Sequence, residues 1–425
     1  MNTCTAIVGI NWGDEGKGRM VDLLTESFDI VVRYQGGGNA GHTILNEYGE
    51  FLLHLLPSGV FCKDVVNILG NGVALDPEHL IEEINALREK GVSITPDNVM
   101  ISERASLLLP WHRELDALEE ARLKDKKMDT TRKGIAPFYS DKYQKKTILA
   151  GELFYPDVLR QHLNELREWK NLILTGVYGA EPVTEEEIDN WVKTYCEPLK
   201  PFIRDTYDYL ENAMRSGKRV LLEGQLGALR DLDYGIYPYT TSSNVLSCYG
   251  PLGASMPYAK VERIIGVVKA YSSCVGAGPF VCEIFGDEAD HLRKIGGEYG
   301  HRPHRVGPID LVATRYGVKI QNATEIALTK LDVLSNYDEI PICVRYRLNG
   351  VETDKMPFPS ILDRCEPVIE TMKGWKCDIS GARYWWDLPR EAQEYVQRIE
   401  NSIGAIIKWI SVGPERNSII RRDLD

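Results

Sequence analysis

The stretch AIVGINWGDEGKGRMVDLL, residues 6–24, decides how this chain is read. Ala6 to Ile10 is a short apolar run of strand character, and Met20 to Leu24 reads as the start of a helix. Between them the turn Gly9-Ile10-Asn11-Trp12-Gly13-Asp14-Glu15-Gly16-Lys17-Gly18-Arg19 is rich in glycine and charge. Glycines let backbone amides approach phosphate oxygens closely, a helix N-terminus favours negative charge, and Lys17 can neutralise a phosphate. The loop is therefore a phosphate loop in kind. It departs from the Walker pattern because Lys17 is followed by Gly18, so no hydroxyl stands ready for Mg2+, a task open to Asp14.

Outward from this unit, β-branched or apolar runs recur at Asp29 to Arg33, Val66 to Leu69, Asn171 to Thr175, Arg219 to Leu222, Arg263 to Val268, Glu325 to Leu328, Ile340 to Tyr346 and Lys408 to Ser411. Helical patterns lie between many of them. Asp76 caps a helix with Pro77 in its first turn, Leu80, Ile81, Ile84 and Leu87 on one face and Gly91 as its stop. Thr184 with Glu187 forms a capping box, and Asp205 to Arg215 reads as a further helix. Apolar strands alternating with helices predict an α/β fold: a large, mostly parallel sheet with helices on both faces, spanning 1–425 as one domain with helical insertions at roughly 100–215 and 335–405. Several strands run straight into glycine-rich turns, and ligands of open parallel sheets bind beyond the carboxyl ends of the strands. Those turns are expected to share one site.

The second such turn, Gln35-Gly36-Gly37-Gly38-Asn39-Ala40-Gly41-His42-Thr43, leaves His42 with little cover from its neighbours and able to reach a ligand. A third, Thr329-Lys330-Leu331-Asp332, places a carboxylate at a strand end, where it can accept from both N1–H and the 2-amino group of guanine. The same four residues also suit a plain strand end.

Composition narrows the function classes. The chain has 425 residues, 43% hydrophobic and 26% charged, with a net charge of −12, which argues against a dedicated nucleic-acid or membrane-surface binder. No stretch approaches a membrane span, and Met1 to Ile10 lacks the features of a secretion signal, so a cytoplasmic protein is expected. Nine cysteines contain no CxxC pair and no zinc-like spacing, and are expected to be mostly reduced core thiols.

The segments GINWGDEGKGR, QGGGNAGHT, LLPSG (Leu55 to Gly59), GNGVALDP (Gly70 to Pro77), YPYTTSSN (Tyr237 to Asn244), VGAGPF (Val275 to Phe280), TKLD and SVGPER (Ser411 to Arg416) resemble, in order and along the whole chain, the adenylosuccinate synthetase family. That resemblance implies a P-loop-NTPase-like α/β fold, a homodimer, and a GTP- and Mg2+-dependent ligase joining inosine monophosphate, a purine nucleoside monophosphate, to L-aspartate. It matches Asp14 to a base that also binds Mg2+, His42 to an acid, and Lys17 to a stabiliser of phosphate charge. The Gly41 carbonyl matches a second metal ligand. For GTP it implies Gly13, Glu15, Gly16, Lys17, Gly18, Arg19, His304, Lys330, Leu331, Asp332, Ser411, Val412 and Gly413. For the acceptor nucleotide it implies Asp14, Lys17, Asn39, Ala40, Gly41, His42, Thr131, Lys145, Gln225, Leu226, Thr241 and Arg302. For the amino donor it implies His301, Arg302 and Arg305.

Three departures from the family pattern fall on substrate positions. The form EGAQG is here Glu223-Gly224-Gln225-Leu226-Gly227, so the family's purine-contacting glutamine aligns with Leu226, unless Gln225 turns inward. The aspartate loop, of the form TTGRPRR, is three residues shorter in Gly300 to Asp310 and lacks both threonines, with His304 in place of an arginine. The arginine that crosses the dimer interface aligns with Lys145, which keeps the charge and loses the bidentate fork. Three readings follow: the ligase with rebuilt pockets; a paralogue applying the same GTP-driven activation to another nucleotide or amine; and a catalytically silent guanine-nucleotide-binding regulator, for which an Asp14 and His42 pair has no use.

Overall fold

The computed structural model describes residues 2–46, 49–299 and 303–422, with the side chains at 42, 43, 45, 46 and 50 outside that description. Its core is a ten-stranded sheet among the described residues: β1 (Thr3–Gly9), β2 (Ile30–Arg33), β3 (Val66–Leu69), β4 (Val99–Ser102), β5 (Ile203–Arg204), β6 (Val220–Gly227), β7 (Lys260–Lys269), β8 (Glu325–Thr329), β9 (Ile407–Ser411) and β10 (Ile419–Arg421). In space the order is β10-β9-β8-β7-β1-β6-β2-β3-β4-β5. Every pairing is parallel except the edge pair β9 and β10.

Burial on both faces explains the apolar runs. On one face Ala6, Val8, Ile30 and Val32 pack with Leu210 and Met214 of α3 (Thr206–Arg215). On the other, Ile7, Val31, Leu221 and Ile265 pack with Met20, Val21 and Leu24 of α1 (Lys17–Thr25). The period of two divides each strand between the two layers, so neither side can be polar. The chain leaves β1 to build one half of the sheet, returns through β6 beside β1, and then builds the other half, which makes the end of β1 a topological switch point.

The expected helices form. The first, α2 (Pro77–Glu89), starts where Asp76 accepts from the His79 amide and gives way to Gly91 at φ +84°. Thr184 and Glu187 make the capping box of a helix at Glu185–Trp191. Two expectations need correction. Asn171 to Thr175 is not a strand: it is the end of the helix Pro156–Ile173 and the turn after it. Leu159, Leu163, Leu166, Lys170 and Leu174 are buried along one face while Leu172 is exposed, so the long amphipathic period outweighs the short apolar run. Residues 335–405 are not chiefly helical. They hold strands Glu339–Leu348, Val351–Thr353 and Glu366–Lys373, a small sheet on Ile309–Asp310, and one long helix, Arg390–Ile403. By contrast, 100–215 carries helices Pro110–Leu123, Ile135–Tyr143, Pro156–Ile173, Glu185–Trp191 and Thr206–Arg215. The nine cysteines are free, and Cys4, Cys196, Cys274, Cys282 and Cys343 are buried. No described helix is long and apolar enough to cross a membrane.

Candidate active site

Parallel pairing sends the turns after β1, β2, β3, β8 and β9 to one edge of the sheet. The turn after β1 is held from within. Glu15 is buried beneath it, and its carboxylate accepts from the amides of Asn11 at 3.0 Å and Gly13 at 2.9 Å and from Lys17 Nζ at 2.7 Å. Gly13 and Gly16 have φ of +108° and +94°, and Asp14 between them has φ +58°, a conformation that a short polar side chain tolerates. The result is an exposed Asp14 at the crest of the loop and a helix α1 whose N-terminus no side chain caps. Uncapped first-turn amides are the donors a phosphate needs. A Cβ on Gly9 would lie 2.3 Å from the Leu226 carbonyl, so the ends of β1 and β6 touch only because glycine stands there.

Three distant turns are stitched to this loop. Thr329 Oγ1 donates to the Glu15 carbonyl at 2.8 Å, joining the Lys330–Asp332 turn. Arg19 donates to Ser411 Oγ at 2.6 Å, to the Gly413 carbonyl at 2.7 Å and to the Glu415 carbonyl, joining the turn after β9. Lys330, at φ +58°, donates to the Gly296 carbonyl and to Glu298 at 3.2 Å, and Glu298 also receives His304 Nδ1 at 2.7 Å. Every described residue assigned to GTP thus falls in one connected patch. Leu331 and Val412 are fully buried beneath this patch. Burial pushes the Asp332 carboxyl upward although Arg19 and Lys330 oppose it.

The second turn is braced by Tyr139, whose hydroxyl accepts from the Gly36 amide at 3.1 Å and donates to the Gly72 carbonyl at 2.8 Å. Ala40 is fixed by His54, with Nδ1 3.0 Å from the Ala40 carbonyl. Gly41 leads into a hairpin, His42–Asn46 with Gly49–Leu53. The His42 side chain, and His301 and Arg302 entirely, lie outside the described residues. Thr241 keeps a buried hydroxyl with no partner among the described residues. Thr131 and Lys145 are exposed, on either side of the helix Ile135–Tyr143, and among the described residues no side-chain hydrogen bond ties them to the rest. Arg305 is engaged with Glu283 and with the carbonyls of Gly276 and Gly278, at 3.3 and 2.7 Å. It therefore shapes the 276–278 turn, with much of its donor capacity already satisfied.

A family model for adenylosuccinate synthetase matches residues 6–420. The chain belongs to the adenylosuccinate synthetase family. The adenylosuccinate synthetase of Caldanaerobacter subterraneus subsp. tengcongensis is 43% identical over 422 residues, covering 98% of either chain. That of Thermoanaerobacter sp. is 44% identical over 425 residues, covering 98% of this chain and 99% of its own. A fully ligated adenylosuccinate synthetase from Plasmodium falciparum, 35% identical, superimposes with a TM-score of 0.92 over 99% of this chain and 100% of that one. Such similarity favours the ligase over the paralogue and the silent regulator.

Two features of this adenylosuccinate synthetase family member went unread in the sequence. Glu298 is a buried carboxylate receiving Lys269 at 2.7 and 2.9 Å, Tyr271 at 2.5 Å, Lys330 and His304. Burial alone would raise its pKa, but Lys269, the His304 bond and Lys330 outweigh it and hold the carboxyl well below the usual range. The signal was present: β7 and β8 are apolar neighbours, and lysines at the end of one and just past the other require a counter-charge. An inward Gln225 is expected from the sequence only with a remodelled loop, and the left-handed backbone at Leu226 that remodels it went unread. Gln225 lies buried under the second turn, while Leu226, at φ +61°, sits beside Gly13. The direction of each side chain depends on that backbone reversal, which no residue type announces.

Proposed function

We propose that Asp14, Lys17 and His42 carry the chemistry of this site on the stitched edge of the sheet. The chain is a GTP-dependent ligase that forms a C–N bond between inosine monophosphate and L-aspartate, giving adenylosuccinate, GDP and phosphate. The purine 6-oxygen is a poor leaving group, so it first attacks the γ-phosphorus of GTP and is then displaced, as phosphate, by the aspartate amine. Asp14 removes the N1 proton that makes the oxygen nucleophilic. His42 hydrogen-bonds the transferring group and the 6-oxygen, and Lys17 balances phosphate charge. The observation that carries this reading is the convergence itself: Thr329 and Arg19 bind the guanine-side turns directly to the phosphate loop.

The remaining assignments follow from the same layout. Lys330, Asp332 and Ser411 to Gly413 hold the guanine. Asn39 contacts the acceptor nucleotide, and Thr131 and Thr241 hold its 5′-phosphate, with the Thr241 hydroxyl as a ready donor. Arg302, His301 and Arg305 serve the amino donor. The Asp14 carboxylate is exposed and has no hydrogen-bond partner among the described residues, and with the Gly41 carbonyl it forms an all-oxygen donor pair of the kind Mg2+ takes alongside phosphate oxygens. When bound, Mg2+ neutralises charge on the phosphates. We further propose a cytoplasmic homodimer in which Lys145 reaches the partner's nucleotide.

Purified protein supplied with GTP, Mg2+ and inosine monophosphate, with the amine varied, provides the test through phosphate release and product absorbance. Turnover with aspartate is expected. Phosphate release only with a different nucleotide or amine would overturn the substrate assignment.

A further inference from the structure

Gln225 is 1% exposed at the end of β6 and points at the turn that follows β2. Its Nε2 donates to the Gly37 carbonyl at 2.8 Å and to Asn39 Oδ1 at 3.3 Å. Asn39 Oδ1 also accepts from the Gly37 amide at 3.3 Å. Two donors therefore converge on one amide oxygen. Rotating the Asn39 amide by half a turn would set its NH2 against both donors, so the oxygen is held inward. The NH2 donates to no other group among the described residues and stays available on a half-exposed side chain. An NH2 presented there suits an anionic oxygen and repels a donor.

We infer that Gln225 is a positioning residue for the acceptor nucleotide: it locks the Asn39 amide so that Nδ2 faces an anionic oxygen of a purine nucleoside monophosphate. The inference rests on the acceptor reading of Asn39 given above. Two further observations support it. Gln225 Oε1 is buried without a partner among the described residues, a burden that an apolar side chain of the same size would avoid, so packing alone does not account for the amide. That oxygen also lies 1.6 Å from where a Gly36 Cβ would be, so the side chain fits only beneath a glycine, here at φ +76°. The backbone at 225 is fixed as well: Gln35 Nε2 donates to its carbonyl at 2.7 Å, and Ser243 Oγ donates to Gln35 Oε1 at 3.1 Å.

The test is steady-state kinetics with each nucleotide varied in turn, on Gln225→Met, which keeps the volume and removes the donor, with Gln225→Ala as a second variant. The KM for inosine monophosphate should rise about tenfold in both while the KM for GTP stays within about twofold, because the lost alignment acts on one substrate only. Gln225→Glu, which cannot donate to either oxygen, should raise it further. Adding Asn39→Ala to Gln225→Met should raise it no more than Asn39→Ala alone, since one residue acts through the other. Equal change in both KM values, or effects that multiply in the double variant, would overturn the inference in favour of a merely structural glutamine. If Asn39→Ala leaves the acceptor KM unchanged, the acceptor reading of Asn39 itself fails. If that variant raises it and neither Gln225→Met nor Gln225→Ala does, only the inference falls.

Discussion

Asp14 stands at the crest of the phosphate loop because two glycines and its own left-handed backbone lift it above the buried Glu15. Its replacement by asparagine keeps size and conformation and removes the basic oxygen. Turnover of Asp14→Asn should fall by about a hundredfold or more, the usual contribution of general base catalysis. GDP binding, followed calorimetrically, should persist, and near-normal turnover would refute the role. Leu226 offers a second test. It lies against Gly13, where the family pattern has a purine-contacting glutamine. Leu226→Gln should lower the KM for inosine monophosphate several-fold, by roughly the worth of one hydrogen bond. An unchanged KM would mean that the base does not reach position 226.

At the level of elements, the ends of β7 and β8 bring Lys269 and Lys330 to one carboxylate. Glu298→Gln leaves the buried Lys269 ammonium and the half-exposed Lys330 opposed by a neutral amide. Breaking a buried pair in this way costs about 3 kcal/mol, measurable by denaturant unfolding. The KM for GTP should also rise, because Lys330 loses its anchor beside the guanine turn; a stability loss without that rise would confine Glu298 to folding. The first turn of α2 carries a pH-dependent contact. A Cβ on Gly38 would lie 2.6 Å from His79 Nδ1, so the imidazole packs on the second glycine turn. Burial first, then the charges of His54, Lys133 and Arg113, push its pKa down to about 4. The unfolded chain binds that proton near pH 6.5, so the folded state holds fewer protons between these values. The stabilisation is full above 6.5 and is lost as pH falls toward 4. Unfolding free energies at pH 7.5 and pH 5 should differ less in His79→Gln than in the parent, and an equal difference would exclude His79 as the source.

Over the whole molecule, the sheet order makes the end of β1 a switch point, and the candidate site lies at that edge. Lys145, at φ +62° just past the helix Ile135–Tyr143, is exposed in a single chain, as a residue reaching a partner must be. Sedimentation should show a species of twice the 48.0 kDa chain mass. Lys145→Glu should raise the KM for inosine monophosphate without dissociating it. A monomer active at the parent's rate would remove the interfacial role.

The parallel sheet, the glycine turn after β1 and the helix at Pro77 were legible in the sequence because each rests on local chemistry: runs of apolar residues, glycine spacing, a capping aspartate. Asn171 to Thr175 was misread because a five-residue window cannot weigh the helical period of the eighteen residues before it. The small sheet within 335–405 was missed because its outer strand, Glu366–Lys373, is largely exposed and polar and shows no buried run. By itself the sequence determined the family and the scaffold with its glycine turns, since these depend on neighbours along the chain. Only the tertiary structure decided that Glu15 locks the loop from below, that Glu298 gathers two lysines, and that Gln225 turns to Asn39 while Leu226 turns to Gly13. Those outcomes depend on which charges and amides meet across strands far apart in the chain, and on one positive φ that reverses the direction of adjacent side chains.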